Sequence, residues 1–277
     1  MKYALLLGII QGLTEFLPVS SSGHLVIFQS FLPDFHEPGI IFDITLHFGT
    51  LMAVFIFYFR DISQIISALF VGSKPSQSIW TRKRAISLIM GLTIATIPAA
   101  CIGVLFENQF ERLFNRGVFA SIFLFLTAII LVIGEKIRFQ ANKSLKSPFD
   151  INQWPTWLFV GFAQALALLP GVSRSGSTIS AGLMGNWKRD ECAHFSFFLM
   201  IPAVGGAVTL KLPGFFKALQ MGDIDPMVYL VGFMAAFLSG IIAIKILIGV
   251  IRHYRLYGFA IYCSIVSILT LVIAYIP

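Results

Sequence analysis

Residues 11–24 read QGLTEFLPVSSSGH, from Gln11 to His24, and break an otherwise apolar stretch that runs from Tyr3 to Leu32. A second break, PGVSRSGST from Pro170 to Thr178, interrupts the apolar stretch Trp154–Gly185 in the same way. A bilayer core of about 30 Å takes about 20 apolar residues per helix, and each arm beside a break is shorter than that. Both stretches therefore read as re-entrant helical hairpins. Broken backbone at membrane depth persists only where protein or water satisfies its polar groups, so each hairpin is expected to be enclosed by other helices.

Around the hairpins lie six runs long enough to cross a membrane: Ile40–Phe59, Ala85–Phe106, Gly117–Gly134, Cys192–Leu210, Met227–Val250 and Leu256–Ile276. The chain is 57% hydrophobic and 12% charged, with mean hydropathy +0.86, whereas soluble domains carry about 25% charged residues. The fold class expected is an all-α polytopic membrane protein, a single integral membrane domain over residues 1–277 with six transmembrane helices and two hairpins. The N-terminus does not read as a cleaved signal peptide: Lys2 is a thin basic region, and Gln11 and Glu15 follow a short apolar run. Cys101, Cys192 and Cys263 lie in or beside apolar runs without ligand spacing and read as small apolar filler.

The net charge of +7 does not mark a nucleic-acid partner, because the basic residues sit in short loops, where membrane proteins concentrate them. Six crossings and two hairpins put thirteen Lys and Arg on one side: Arg60, Lys74, Arg82, Lys83, Arg84, Lys136, Arg138, Lys143, Lys146, Lys188, Arg189, Arg252 and Arg255. Only Lys2, Arg112, Arg116, Lys211 and Lys217 fall on the other. The richer side is expected to be cytoplasmic. Both termini are then outside, and the hairpins enter from opposite faces and point at each other. Lys245 snorkels from its span, and His36, His194 and His253 carry no signal.

A shift of 153 residues superposes the two breaks. Gly8, Gln11, Leu13, Val19, Ser20, Ser22 and Gly23 fall on identical residues at Gly161, Gln164, Leu166, Val172, Ser173, Ser175 and Gly176. Each half, about 1–134 and 154–277, holds one hairpin and three crossings, and an odd number of crossings inverts the second half. Inverted repeats place ligand sites near the midplane at broken helices.

Gln11 and Glu15 share a helix face that Pro18 ends. The serines and glycines after each break open a short second helix, whose N-terminal N–H groups and hydroxyls form a ready anion site. Candidate ligand contacts are Gln11, Ser20, Ser22 and Gly23 from the first break, and Gly171, Ser173, Ser175, Gly176 and Thr178 from the second. The copies differ in charge: Glu15 aligns with Leu168, and Arg174 with Ser21. An intramembrane Arg marks a ligand or a pathway, and its planar fork suits phosphate oxygens. Competing structural readings are mutual neutralisation of Glu15 and Arg174, helix capping by the serines, and a backbone-bonded His24. Asp43 and His47 read equally as a second polar layer or as a structural pair.

These motifs closely resemble the undecaprenyl-pyrophosphate phosphatase family of the bacitracin-resistance type, over essentially the whole chain. The family's first motif matches Gln11, Glu15 and Pro18–His24, its second matches Pro170–Thr178, and the FDITLHFGTL and FSFFLMIP segments also agree. The resemblance implies hydrolysis of a polyprenyl pyrophosphate lipid, undecaprenyl pyrophosphate, to undecaprenyl phosphate and phosphate. It also implies a bacterial plasma membrane, recycling of the cell-wall lipid carrier, and a pocket open to the outside. Many members carry Glu where this chain has Gln11, so a carboxylate pair for a divalent cation (Mg2+ or Ca2+) is incomplete, with Glu15 as the one candidate ligand.

Catalytic candidates are Glu15, Ser21, His24 and Arg174. Ser21 would attack the terminal phosphorus with His24 or Glu15 as base, while Arg174 and the helix N-termini stabilise charge; attack by His24 or by water stays open. A transporter or flippase of an anionic lipid is the alternative, since inverted repeats are a transporter architecture, but transport needs no nucleophile or base. An acid-phosphatase-type lipid phosphatase needs a further His after its Ser-Arg motif, and His194 is too distant. A homodimer is compatible with the sequence, which does not specify oligomeric state.

Overall fold

Leu17, the residue before Pro18, is extended at φ −64° and ψ 142°, the region that the proline ring imposes on its predecessor. Helix α1 (Lys2–Phe16) therefore ends there. Ser20, at φ 68°, turns the chain and caps α2 (Ser21–Ser30) by accepting the Gly23 N–H at 3.2 Å. A computed structural model describes this turn within residues 1–32, and beyond it residues 40–70, 79–114, 117–141, 144–222 and 225–275. His36, Lys74, Arg116, Lys143 and Ile276 lie outside the described residues.

The chain continues through α3 (Ile40–Phe57), α4 (Phe59–Phe70), α5 (Arg82–Leu105), α6 (Glu107–Phe114) and α7 (Gly117–Gln140). A one-turn 3-10 helix (Ile151–Gln153) leads into α8 (Trp154–Leu166) and α9 (Arg174–Met184), followed by α10 (Arg189–Met221), α11 (Pro226–His253) and α12 (Tyr257–Tyr275). Among the described residues five helices are long and apolar enough to cross a membrane, and the α3–α4 pair makes a sixth. Outward side chains are apolar: Ile261, Ile265 and Val272 of α12 are 61%, 52% and 50% exposed. A surface of that kind needs lipid around it, so the chain is a multi-pass membrane protein.

Two spans differ from expectation. The run Ile40–Phe59 is not one straight helix, because the chain bends by 67° between α3 and α4. Buried Tyr58 packs on His194 and Phe198, and Trp80 Nε1 donates to Asp61 at 2.8 Å; these contacts hold α4 off the axis of α3. The run Cys192–Leu210 is the middle of a longer helix, since α10 continues past Pro202 and Pro213 to Met221.

The breaks of the two hairpins are buried, while the long arms keep an exposed apolar face, with Leu5 and Phe162 48% and 56% exposed. The long arm of each packs on a crossing helix of the other half: α1 on α11, and α8 on α5. Small residues permit this. A Cβ on Gly8 or Gly12 would run into the backbone of α11, and one on Gly161 into α5.

Loops that the charge distribution assigns to one side are bonded to one another. Lys146 N–H donates to Asn186 O at 2.9 Å, and Arg84 pairs with Glu191 at 3.3 Å. Glu135 of α7 receives a two-point contact from Arg189 at 2.9 and 2.7 Å, plus the Leu256 N–H at 2.8 Å. Arg189 also donates to Ile251 O and Tyr254 O, so one ion pair ties together α7, the start of α10 and the α11–α12 turn. Glu135 is 2% exposed, and removing one partner of such a buried pair leaves an uncompensated charge. Glu135→Ala is expected to destabilise the protein by about 3–5 kcal/mol, seen as a lower midpoint of thermal unfolding in detergent.

Candidate active site

Glu15 sits at the last turn of α1, 6% exposed, and each of its oxygens is taken. Oε1 accepts from Arg174 Nη2 at 2.7 Å, across the gap between the two hairpins. Oε2 accepts from the Ser21 hydroxyl at 2.6 Å and from Gln11 Nε2 at 3.0 Å; His47 Nδ1 of α3 lies 3.4 Å from the same oxygen. The helical spacing of Gln11 and Glu15 puts them on one face, and Pro18 turns the chain so that Ser21, first residue of α2, folds back onto that face.

Arg174 is the first residue of α9, and Ser173 caps that helix by accepting the Gly176 N–H at 3.0 Å. Its second nitrogen, Nη1, donates to Ser196 O of α10 at 3.0 Å. Two acceptors thus hold a planar group with five N–H donors, and these two bonds leave three of them unused.

The loop before α9 is fixed by α7. Thr127 Oγ1 donates to Gly171 O at 2.9 Å and accepts from Ser173 N–H at 2.9 Å. Gly171 has φ +102°, and a Cβ there would strike Ala120 O, so only glycine fits. The tips touch: a Cβ on Gly23 would lie 3.0 Å from Gly171 Cα.

The structure thus brings Gln11, Glu15, Ser21 and Arg174 together with His47. Ser20 and Ser173 are caps, and Ser22 Oγ faces the Gly171 N–H at 3.5 Å. Ser175 donates to Leu17 O at 3.1 Å, joining the hairpins. Thr178 lies a turn deeper, bonded to Arg174 O at 2.8 Å and to the Ser196 hydroxyl at 2.7 Å. His24 is turned elsewhere. Its Nδ1 meets Ser20 O at 2.8 Å, its Nε2 meets the Tyr262 hydroxyl at 2.8 Å, and the two rings stack. Asp43, one turn before His47 on α3, accepts from Gln29 at 3.0 Å and lies close enough for its charge to act on His47. Thr127, Ser196 and Tyr262 escape sequence reading because each is a lone polar residue in an apolar run.

The cluster does not fit a protein cage for a divalent cation. Glu15 is its single carboxylate, and both oxygens are occupied by donors. Among the described residues no three His, Cys, Asp or Glu converge on a common point.

Fold and site together define a multi-pass helical membrane protein with a buried Ser–Glu–Arg cluster where two broken helices meet. Residues 4–269 match the family described as bacitracin resistance protein BacA, and the chain belongs to that family. An undecaprenyl-diphosphatase of Syntrophotalea carbinolica is 42% identical over 261 residues, 94% of each chain. One of Carboxydothermus hydrogenoformans is 40% identical over 98% of this chain and 96% of its own. One of Methanosphaera stadtmanae is 36% identical over 98% and 97%.

Thr127→Val keeps the shape of the side chain but orphans the buried Gly171 carbonyl and Ser173 N–H. A buried group left unsatisfied costs about 1–3 kcal/mol, so thermal unfolding in detergent is expected at lower temperature than for the wild type.

Proposed function

We propose that the chain hydrolyses undecaprenyl pyrophosphate to undecaprenyl phosphate and inorganic phosphate, and so recycles the lipid carrier of cell-wall synthesis. Family membership and the relatives' shared name support this. The observation that carries it is the Ser21 hydroxyl donating to Glu15 at 2.6 Å, a nucleophile bonded to a base. A transporter needs no such pair.

The proposed reaction starts with the terminal phosphate placed at the N-terminus of α2. Glu15 accepts the Ser21 proton as Oγ attacks the terminal phosphorus. The anhydride P–O bond breaks, and undecaprenyl phosphate leaves with the electron pair. The phosphate now on Ser21, the first residue of α2, lies where unpaired helix N–H groups favour negative charge. Arg174's free N–H groups and the N-terminus of α9 face the same charge from the other hairpin. Once Glu15 has passed its proton to the departing phosphate, it deprotonates the water that attacks the phosphoserine; the P–Oγ bond breaks, Ser21 Oγ takes the proton back, and phosphate is freed. His24, held by Ser20 and Tyr262, is assigned to shaping the α2 turn rather than to deprotonating Ser21. No step runs through a metal; a Mg2+ or Ca2+ ion is assigned to the substrate, whose pyrophosphate oxygens would supply most of its ligands.

We also infer that the halves are inverted repeats in the bacterial plasma membrane, with termini outside and the site open outward. The reciprocal packing of α1 on α11 and α8 on α5 supports the repeat, and the Lys and Arg bias supports the orientation. A homodimer is compatible with this reading.

Phosphate release from undecaprenyl pyrophosphate in detergent tests the function. Glu15→Gln is expected to lower kcat by about 10²–10⁴-fold, and Ser21→Ala by at least as much. Label from substrate trapped on a residue other than Ser21 would sink the serine mechanism.

A further inference from the structure

His47 is the part of the cluster that the reaction above leaves unused. Its Nδ1 lies 2.9 Å from Gln11 Nε2. The same amide nitrogen lies 3.0 Å from Glu15 Oε2. Reversing the Gln11 amide would set its oxygen against a carboxylate oxygen, acceptor against acceptor. The NH2 group must therefore face both, giving one proton to Glu15 and one to Nδ1.

An Nδ1 that accepts leaves the proton of a neutral imidazole on Nε2. Among the described residues no hydrogen bond engages that Nε2. The His47 side chain is also the most open member of the cluster, 27% accessible against 14% for Arg174 and 5% for Glu15. The most accessible side chain of the cluster therefore carries an N–H donor that no described protein group engages, on a ring whose tautomer Gln11 sets.

We propose that His47 contacts the substrate directly, its Nε2–H donating to a non-bridging oxygen of the pyrophosphate, with Gln11 as the residue that fixes the ring's tautomer. The assignment rests on the pyrophosphatase reading. It gives Gln11 a task suited to an amide and not to a carboxylate: an ionised Glu at position 11 has no proton to give Nδ1. Helix α3 thereby becomes a third wall of the site beside the two hairpins.

Three variants separate contact from support. Gln reaches the position of Nε2 and carries N–H donors, whereas Asn can replace a polar atom only near Nδ1, and Leu neither. His47→Gln is expected to hold KM for undecaprenyl pyrophosphate within about threefold of the wild type. His47→Asn and His47→Leu are expected to raise KM tenfold or more, with a smaller change in kcat. Size-exclusion profiles in detergent check that each variant is folded. Equal KM for the Asn and Gln variants would show that only the Nδ1 side matters and would overturn the proposal, as would wild-type KM in His47→Leu. Inorganic pyrophosphate binding, measured on the same proteins, requires no hydrolysis and is expected to follow the same order. Wild type that binds pyrophosphate but releases no phosphate from the lipid would refute the phosphatase reading alone, and the binding series would still decide on His47.

Discussion

The ion pair between Glu15 and Arg174 is the constraint on which the rest of the arrangement depends. Each charge is carried at the break of a hairpin and is largely buried, the Arg174 and Glu15 side chains being 14% and 5% accessible. A lone charge at that depth is costly, and two opposite ones bring each other's elements together. At 2.7 Å the pair joins a residue of the first half to one of the second, and the two loops meet glycine against glycine. Everything else near the site supports that junction: α7 grips the second loop through Thr127, α10 orients the guanidinium through Ser196 O, and small residues let α1 and α8 lie close on helices of the opposite half.

The same pair explains why two similar hairpins do different work. Gln11 and Gln164 occupy corresponding positions, yet Gln11 donates to Glu15 while Gln164 donates to Ala95 O of α5 at 3.3 Å. Ser20 and Ser173 make the same capping bond, each accepting the N–H three residues on, from different backbone conformations (φ 68° and −71°). What differs is the acid on one hairpin and the guanidinium on the other, and with them the environment of Ser21. Neutralisation and chemistry are not competing accounts here. An Arg that fixes the carboxylate at one oxygen leaves the other oriented toward the serine hydroxyl.

Legibility of the sequence followed the range of the interactions involved. Short-range rules placed the hairpin breaks: Pro18 ends α1 through the residue before it, and Ser20 and Ser173 cap α2 and α9 as their spacing to Gly23 and Gly176 suggests. Hydropathy located the long apolar helices among the described residues, because lipid sorts side chains by polarity along the whole helix. It missed the bend after Phe57, which depends on Tyr58, Asp61 and Trp80 meeting residues far away in the chain.

The sequence by itself determined a polytopic helical protein, its doubled break, and the polar residues gathered at the breaks, Gln11, Glu15, Ser21, His24 and Arg174 among them, since helix periodicity and the cost of buried charge are local properties. Which of these groups touch was decided only by the tertiary structure. His24, three residues from Ser21, turns to Ser20 O and to Tyr262 of the last helix. His47, read along the chain either as part of a second polar layer or as half of a structural pair, meets Gln11 and Glu15. A hydrogen bond depends on a fraction of an ångström and on direction, and between residues 36 or 238 positions apart only the packing of whole helices sets those quantities.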